Sequence, residues 1–149
     1  EAFNQGAFLI YAGQEAAAAH TPTLFDRDPV EWNGYPLQPL LTRLARIKKD
    51  VAVREGAFTL LAAEPLVQAV WYHPGVSLLG VFDVSAAGVS DIRVPAPDGN
   101  YEDLLSGGLV HVRGGSLALT TSVCILRCEL PRPERAFPAP LLDYYHAPE

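Results

Sequence analysis

Residues 57–83, AFTLLAAEPLVQAVWYHPGVSLLGVFD, decide the fold. Three apolar runs rich in β-branched and aromatic residues follow one another here, and Pro65 and the Pro74-Gly75 pair separate them. Runs of this length between turn residues are typical of β-strands, which we predict at 57–63, 66–73 and 76–83. The gaps between them have no room for a crossover helix, so the strands are predicted to be antiparallel neighbours.

The same alternation of apolar runs and turn residues continues to residue 129. Short apolar runs alternate with turn signals such as Gly107-Gly108 and Gly114-Gly115, at a spacing of about 8–12 residues. Further strands are predicted at 89–94, 101–105, 108–112, 116–120 and 122–129. The chain is therefore predicted to be mainly β, with an antiparallel β-sandwich of about eight strands and Greek-key connections.

The segment before the sandwich has a different pattern. Residues 7–12, AFLIYA, are a short apolar run closed by Gly13, which suits a strand buried on both faces. The alanines at 16–19 leave a helix open as the alternative. Residues 20–36 are rich in turn formers and predict a loop.

A helix is predicted over residues 37–49. Its apolar residues fall on one stripe, and basic residues collect in the last turns, where the helix dipole favours them. The stripe consists of Leu37, Leu40, Leu41, Leu44 and Ile47. The predicted organisation is therefore a first segment at 1–50, a sandwich at 51–130 and a proline-rich tail at 131–149.

Composition excludes several classes of protein. Apolar residues make up 49% of the 149 residues and charged residues 19%, so the chain can bury a core. A net charge of -6 argues against a nucleic-acid partner, which would require a basic face. No apolar run reaches the roughly 18 residues of a membrane span. The chain starts at Glu1 without an initiator Met, which predicts that it is a piece of a longer protein.

The residues that carry chemistry form no familiar cofactor or metal site. Cys124 and Cys128 lie four apart in a predicted strand, which places their side chains on one face about 13 Å apart. A disulfide tolerates only about 7 Å between Cα atoms, so buried free thiols are predicted. The four histidines have no close His or Cys partner, and no metal or cofactor is predicted. Ser106 and Ser116 lack the context of a nucleophile.

Carboxylates cluster in one loop region, at Glu15, Asp26, Asp28 and Glu31. Paired carboxylates catalyse glycoside hydrolysis when they are held at a set separation. Flexible loops hold such separations poorly, so no catalytic residue is predicted in this chain. Solvated loop charges, or an ion pair through Arg27, are the alternative.

Three stretches resemble one enzyme family. Residues 6–15, GAFLIYAGQE, are similar to the last barrel strand of the α-amylase superfamily, glycoside hydrolase family 13, with Phe8 where the family often has Pro. Residues 24–32, LFDRDPVEW, resemble the loop after that strand. Residues 101–107, YEDLLSG, resemble the Tyr-x-Asp-Leu-Leu-x-Gly segment of the family's C-terminal β-sandwich. The order of strand, loop, helix and sandwich also matches.

The resemblance implies a C-terminal fragment of a retaining enzyme that cleaves or transfers α-glucosidic bonds. Residues 1–50 would then be a short remnant of a (β/α)8 barrel, and the catalytic acids would lie in strands that precede this chain. The loop residues at the substrate rim would be Glu15, Asp26, Arg27 and Trp32. The implied partners are the catalytic barrel of the same polypeptide and an α-glucan, with no nucleic acid and no membrane.

Two consequences and two rival interpretations follow. A barrel strand without its neighbours is an exposed edge, so residues 1–19 are predicted to turn helical or to pair with another copy of the chain. A non-catalytic carbohydrate-binding module is the first rival, and exposure of Trp71, Tyr72 and Tyr101 on one sheet face would favour it. Trp71 and Tyr72 are adjacent and should point to opposite faces. A β-sandwich interaction domain unrelated to sugars is the second rival.

Overall fold

The computed structural model describes residues 1–21, 23, 25–32, 34–62, 66–84 and 91–132. The chain divides into two compact units, Glu1–Lys48 and Lys49–Glu149. Of the predicted tail at 131–149, only residues 131 and 132 are described. In the part of the chain that is described, no helix is both long enough and apolar enough to cross a membrane.

The first unit contains no β-strand among its described residues. The strand predicted at 7–12 is therefore wrong for this chain, because these residues lie in no helix or strand. A buried parallel strand needs hydrogen-bonding neighbours on both sides, and the described residues of this unit form no strand that could pair with residues 7–12. The chain next forms a short 3₁₀ turn, Gln14–Ala16, which begins after Gly13 in the left-handed region at φ 95°.

Helix α1, Gln38–Lys48, confirms the helix predicted at 37–49. Its apolar stripe is poorly covered, because Leu40 is 43% exposed, Leu41 and Leu44 are half-buried, and Ile47 alone of the stripe is fully buried. At its end, the Lys48 ammonium donates hydrogen bonds to the carbonyl oxygens of Asn4 and Gly6. The helix therefore holds the N-terminal segment, but it presents more apolar surface than that segment covers.

The second unit is a sandwich of two four-stranded antiparallel sheets, which confirms the predicted fold class. Its strands are β1 Ala57–Ala62, β2 Leu66–His73, β3 Val76–Asp83, β4 Ile92–Arg93, β5 Gly99–Glu102, β6 Leu109–Arg113, β7 Ser116–Leu117 and β8 Val123–Cys128. The sheet orders are β1-β2-β3-β8 and β4-β7-β6-β5. In the second sheet β4 lies beside β7 rather than β5, which is a Greek-key arrangement.

The two sheets share a core built from alternate residues of their strands. β2 contributes Val70 and Tyr72, β3 contributes Leu79 and Val81, and β8 contributes Leu126 between its two cysteines. The second sheet adds Ile92, Val112 and Leu117. Because side chains alternate along a strand, Trp71 lies on the other face, where its ring packs on Phe58 at 5.0 Å between centroids.

A second helix, α2, Val51–Glu55, was not predicted. Five residues are too few to show a helical period, and the segment was assigned to the start of the sandwich. Asp50 caps α2 by accepting a hydrogen bond from the amide of Ala52 at 2.9 Å. Its other carboxylate oxygen accepts a hydrogen bond from the Arg127 guanidinium at 2.6 Å. Arg127 pairs with Leu78 across the sheet, so α2 begins over the face opposite to the shared core.

The Ser77 hydroxyl lies fully buried in β3 with no hydrogen-bond partner among the described residues. An unsatisfied buried polar group costs about 1–3 kcal/mol. We therefore expect Ser77→Ala to raise the free energy of unfolding by about 1 kcal/mol in urea denaturation. Leu79→Ala, two residues along the same face, is the matched control and should lower it by about 3 kcal/mol. A clear loss of stability in Ser77→Ala would contradict the prediction.

Candidate functional site

The motif at residues 101–107 forms a structural junction between the two sheets. The Asp103 carboxylate is 3% exposed and accepts hydrogen bonds from the amides of Leu105, Ser106 and Ile125 at 3.2, 3.0 and 2.9 Å. The first two bonds close the turn after β5, and the third reaches β8 in the other sheet. Asp103 also forms a single β-bridge with Leu126. The motif therefore joins the two sheets.

The pKa of Asp103 reports the same arrangement. Burial by itself raises the pKa of a carboxyl group, but the hydrogen bonds from Ile125, Ser106 and Leu105 outweigh it and hold the pKa below its ordinary value. The charged form is therefore the form that the fold stabilises. Such an acid cannot serve as a proton donor near neutral pH, which agrees with a structural role.

In the first unit, Asp28 organises the loop that follows the 3₁₀ turn. Its carboxylate accepts hydrogen bonds from the amide and the hydroxyl of Thr23 at 2.6 and 2.8 Å, and it lies 3.3 Å from Nε2 of His20. The Thr23 hydroxyl bond, the Thr23 amide bond and the His20 contact lower the pKa of Asp28, and Asp28 is anionic at neutral pH.

A cavity of about 240 Å³ lies beside this carboxylate within the first unit. Polar lining comes from Tyr11, Gln14, His20, Asp28 and Glu31, and apolar lining comes from Ala12, Ala18, Ala19, Pro29 and Val30. A mixture of apolar walls and a few convergent polar groups is typical of small-molecule sites. The volume suits one small polar ring rather than an extended ligand.

The four residues predicted for the substrate rim lie near this cavity in sequence, but none of them lines it. Glu15 lies in the 3₁₀ turn, and its carboxylate accepts a hydrogen bond from the amide of Gly13 at 3.2 Å. Asp26 is exposed, and its amide donates to the Thr23 hydroxyl. Arg27 is exposed as well.

His20 and Gln14 line the cavity but were not predicted as site residues, and Asp28 and Glu31 were predicted only as members of the carboxylate cluster in this loop. The available signal was the spacing of Thr23, Asp26 and Asp28. Threonine and aspartate side chains at such short intervals commonly bond to nearby backbone amides and order a loop. His20 gave no local signal, because its contact with Asp28 spans eight residues of irregular chain.

Trp32, the fourth predicted rim residue, is exposed and contacts Tyr35. The two ring centroids are 6.2 Å apart, and the ring planes are tilted by 38°. The sheet-face alternative fares differently, because Trp71 and Tyr72 are only 5% and 7% exposed. Tyr101 is half-buried and donates its hydroxyl to the carbonyl of Pro97. The aromatic surface that would favour a carbohydrate-binding module on a sheet face is therefore not formed by these residues.

No group of three or more His, Cys, Asp or Glu within the described ranges is placed to hold a metal ion.

Cys124 and Cys128 are buried free thiols, as predicted, and both belong to the core between the sheets. Burial, and to a smaller extent the Asp103 charge, raises the pKa of Cys124 to about 12. Burial raises the pKa of Cys128 to about 11. Thiols of this kind are inert at neutral pH.

Comparison with known proteins gives the family. Residues 59–126 match the family model described as bacterial alpha amylase C-terminal domain. No curated protein matches the chain. An alpha-amylase crystal structure from Lactobacillus plantarum is similar at 28% identity and a TM-score of 0.65, over 79% of this chain and 28% of that one.

A second solved structure supports the fold. A noncanonic maltogenic alpha-amylase from Thermotoga neapolitana aligns at 18% identity and a TM-score of 0.68, over 87% of this chain and 35% of that one. The chain thus spans about a third or less of the length of these two proteins. The sandwich, the ordered motifs and the family match lead to one assignment: residues 59–126 are a C-terminal β-sandwich domain of the bacterial α-amylase type, and the chain is similar to the C-terminal part of α-amylases.

Proposed function

We propose that this chain is the accessory part of an enzyme that cleaves or transfers α-glucosidic bonds with retention, and that it performs no catalysis alone. The match of residues 59–126 to the C-terminal domain of bacterial α-amylases carries this proposal. Within the described residues, the acids fit it: Asp103 bonds backbone amides of the sandwich, and Asp28 bonds a loop threonine. Both have pKa values held below the ordinary value, so neither can act as the proton-donating acid that glycosidic cleavage requires.

The proposed partner is the catalytic barrel of the same polypeptide, and residues 1–50 are the proposed remnant of that barrel. Exposed aliphatic side chains concentrate in the first unit, where Leu9, Ile10, Leu37 and Leu40 are each more than a third exposed. Apolar surface concentrated in this way is typical of a surface that another structure covers. The sandwich at 51–130 would then stabilise the barrel. Pairing of residues 1–19 with another copy of the chain stays a second prediction for the same surface.

The proposed sugar contacts lie in the loop of the first unit. The cavity beside Asp28 offers two carboxylates, Asp28 and Glu31, together with the His20 imidazole and the Gln14 amide as hydrogen-bond partners for sugar hydroxyls. Glu15, Asp26, Arg27 and Trp32 stay the proposed rim, on the part of the chain that the family resemblance assigns to the catalytic face. The charged state of Asp28 supports this role, because carboxylates are strong acceptors for hydroxyl donors.

The purified 149-residue chain is expected to release no reducing ends from soluble starch or maltoheptaose. The reason is that the family resemblance assigns the required pair of carboxyl groups to barrel strands that precede this chain. An active α-amylase at the same molar concentration is the positive control in a reducing-sugar assay. Activity that rises in proportion to the chain concentration, and that copurifies with the chain through two separations, would refute the proposal.

A further inference from the structure

The rings of Trp32 and Tyr35 form a paired aromatic surface in the first unit. Their centroids are 6.2 Å apart, yet Trp32 and Tyr35 are still 49% and 51% exposed. Large exposed aromatic surface is uncommon unless it has a binding role. Phe25 is also exposed, at 95%, but its ring contacts no other aromatic ring among the described residues. The pair therefore differs from a single exposed ring by its fixed mutual geometry.

The backbone holds this geometry on an ordered element. Gly34, which directly precedes Tyr35 in the sequence, lies in the left-handed region at φ 94°, which lets the chain turn so that residues 32 and 35 come into contact. The carbonyl of Tyr35 accepts a hydrogen bond from the amide of Gln38, the first residue of α1. One residue before that, the amide of Leu37 donates to the carbonyl of Glu15. Tyr35 is thus fixed to the first turn of a helix, and sites on such elements are more precise than sites on free loops.

We propose that Trp32 and Tyr35 bind an α-1,4-linked glucan by stacking against two successive glucosyl units, an inference that rests on the proposed function. The faces of a pyranose ring present C–H groups, which are attracted to the electron-rich face of an aromatic ring. The indole N–H and the phenol O–H can also donate hydrogen bonds to the sugar hydroxyls. Neither ring carries a charge, which suits a neutral ligand.

The tilt between the rings selects the kind of glucan. Two coplanar rings fit a flat chain, whereas rings inclined by 38° follow a chain that curves from one sugar to the next. α-1,4 linkages give a curved chain, and β-1,4 linkages give a flat ribbon. The pair therefore favours maltooligosaccharides and cyclodextrins over cellooligosaccharides. It also gives Tyr35 a role that the family resemblance did not assign to it.

The two tryptophans of the chain make the proposal measurable by fluorescence. Trp71 is buried at 5% exposure and Trp32 is half exposed, so acrylamide should quench mainly Trp32. Maltoheptaose and β-cyclodextrin are expected to protect Trp32 from acrylamide, and cellohexaose is not. The variant Trp71→Phe isolates the Trp32 signal, and the wild-type chain gives the same test if that variant fails to fold.

Substitutions test whether glucan binding depends on the Trp32–Tyr35 pair. Isothermal titration with maltoheptaose should show binding weakened about fivefold to tenfold in Tyr35→Ala and at least as much in Trp32→Ala, as expected for a stacked ring. Phe25→Ala is the matched control, because it removes an exposed ring outside the pair, and its affinity should be unchanged. Circular dichroism verifies that each variant is folded.

Three results would overturn the inference: no binding of maltoheptaose to the wild-type chain, equal binding of cellohexaose, or unchanged affinity in Tyr35→Ala and Trp32→Ala. None of them bears on the proposed accessory role, which the hydrolysis assay tests without these rings. Conversely, hydrolysis by the isolated chain would refute that role while the ring substitutions could still weaken binding. The two failures are therefore distinguishable.

Discussion

Replacing Asp103 by Ala is expected to lower the free energy of unfolding by about 3–5 kcal/mol. The substitution removes three hydrogen bonds to backbone amides, and that of Ile125 lies in a buried part of β8. A buried amide left without an acceptor carries the full cost of its desolvation. Because a domain of this size is stable by only about 5–15 kcal/mol, urea denaturation at neutral pH should show a large shift of the midpoint.

The neighbouring residue provides the control. Glu102→Ala removes an exposed carboxylate from the adjacent position on β5 and should change stability by less than about 0.5 kcal/mol. Asp103→Asn keeps one oxygen acceptor and should fall between the two, because its NH₂ group now faces N–H donors. Equal stability of Asp103→Ala and Glu102→Ala would show that the junction between the sheets does not depend on this carboxylate.

The Asp103 carboxylate also predicts how the free energy of unfolding responds to acid. The folded-state pKa of Asp103 lies below its ordinary value, so the folded state binds the proton less readily than the unfolded state does. Its contribution is therefore fully present above the ordinary aspartate pKa and is lost as the pH falls through the folded-state pKa. The difference in stability between the wild-type chain and Asp103→Asn should shrink over that window.

The strands were predictable because their signal is local. Runs such as 66–73 and 76–83 carry apolar residues between turn formers, and the structure places both strands at those bounds. The shorter strands were predicted to be longer than they are: β7 was predicted at 116–120 but ends at Leu117. β4 was predicted at 89–94 and spans Ile92–Arg93, although residues 89 and 90 lie outside the described part of the chain.

Contacts between distant residues were not predictable. The turn at Gly114-Gly115 was expected, but the carboxylate that holds it belongs to Asp98, which accepts hydrogen bonds from both glycine amides at 2.8 and 2.9 Å. The bonds from Gly115 and Gly114 lower the pKa of Asp98. Nothing in the spacing of residues 98 and 114 indicates this contact, because it depends on how β5, β6 and β7 pair.

The candidate site was predictable only as a region. The loop at 20–32 was identified by its carboxylates and its family resemblance, yet the cavity uses Asp28 and His20 rather than Asp26 and Arg27. In an irregular loop the direction of each side chain depends on specific hydrogen bonds, here those of Thr23. The rim residues therefore stay predictions, and the Asp28 cavity is the more specific target for substitution.

Stability is also expected to fall steeply in alkaline solution because of Cys124 and Cys128. Both thiols are buried in the core, and their pKa values are raised from an ordinary 9.0 to about 12 and about 11. Above pH 9 the unfolded chain loses these protons while the folded chain keeps them. The unfolded state then binds fewer protons than the folded state, so the free energy of unfolding decreases as the pH rises.

The expected loss is about 1.4 kcal/mol for each thiol at pH 10, or about 3 kcal/mol for the pair. Urea denaturation at pH 8 and pH 10 measures it, and the double variant Cys124→Ala with Cys128→Ala is the comparison. That variant should be less stable at pH 8, because it leaves space in the core, but its additional loss at pH 10 should be smaller by about 3 kcal/mol. Burial, and after it the charge of Cys128, also raise the pKa values of Tyr72 and Tyr101. The part due to burial is common to the two proteins and cancels in the difference. The part due to Cys128 is small at pH 10, because the pKa of that thiol is about 11 and most of it is still protonated. Equal losses in both proteins would mean that the thiols titrate in the folded chain at their ordinary pKa, which a core position between two sheets does not allow.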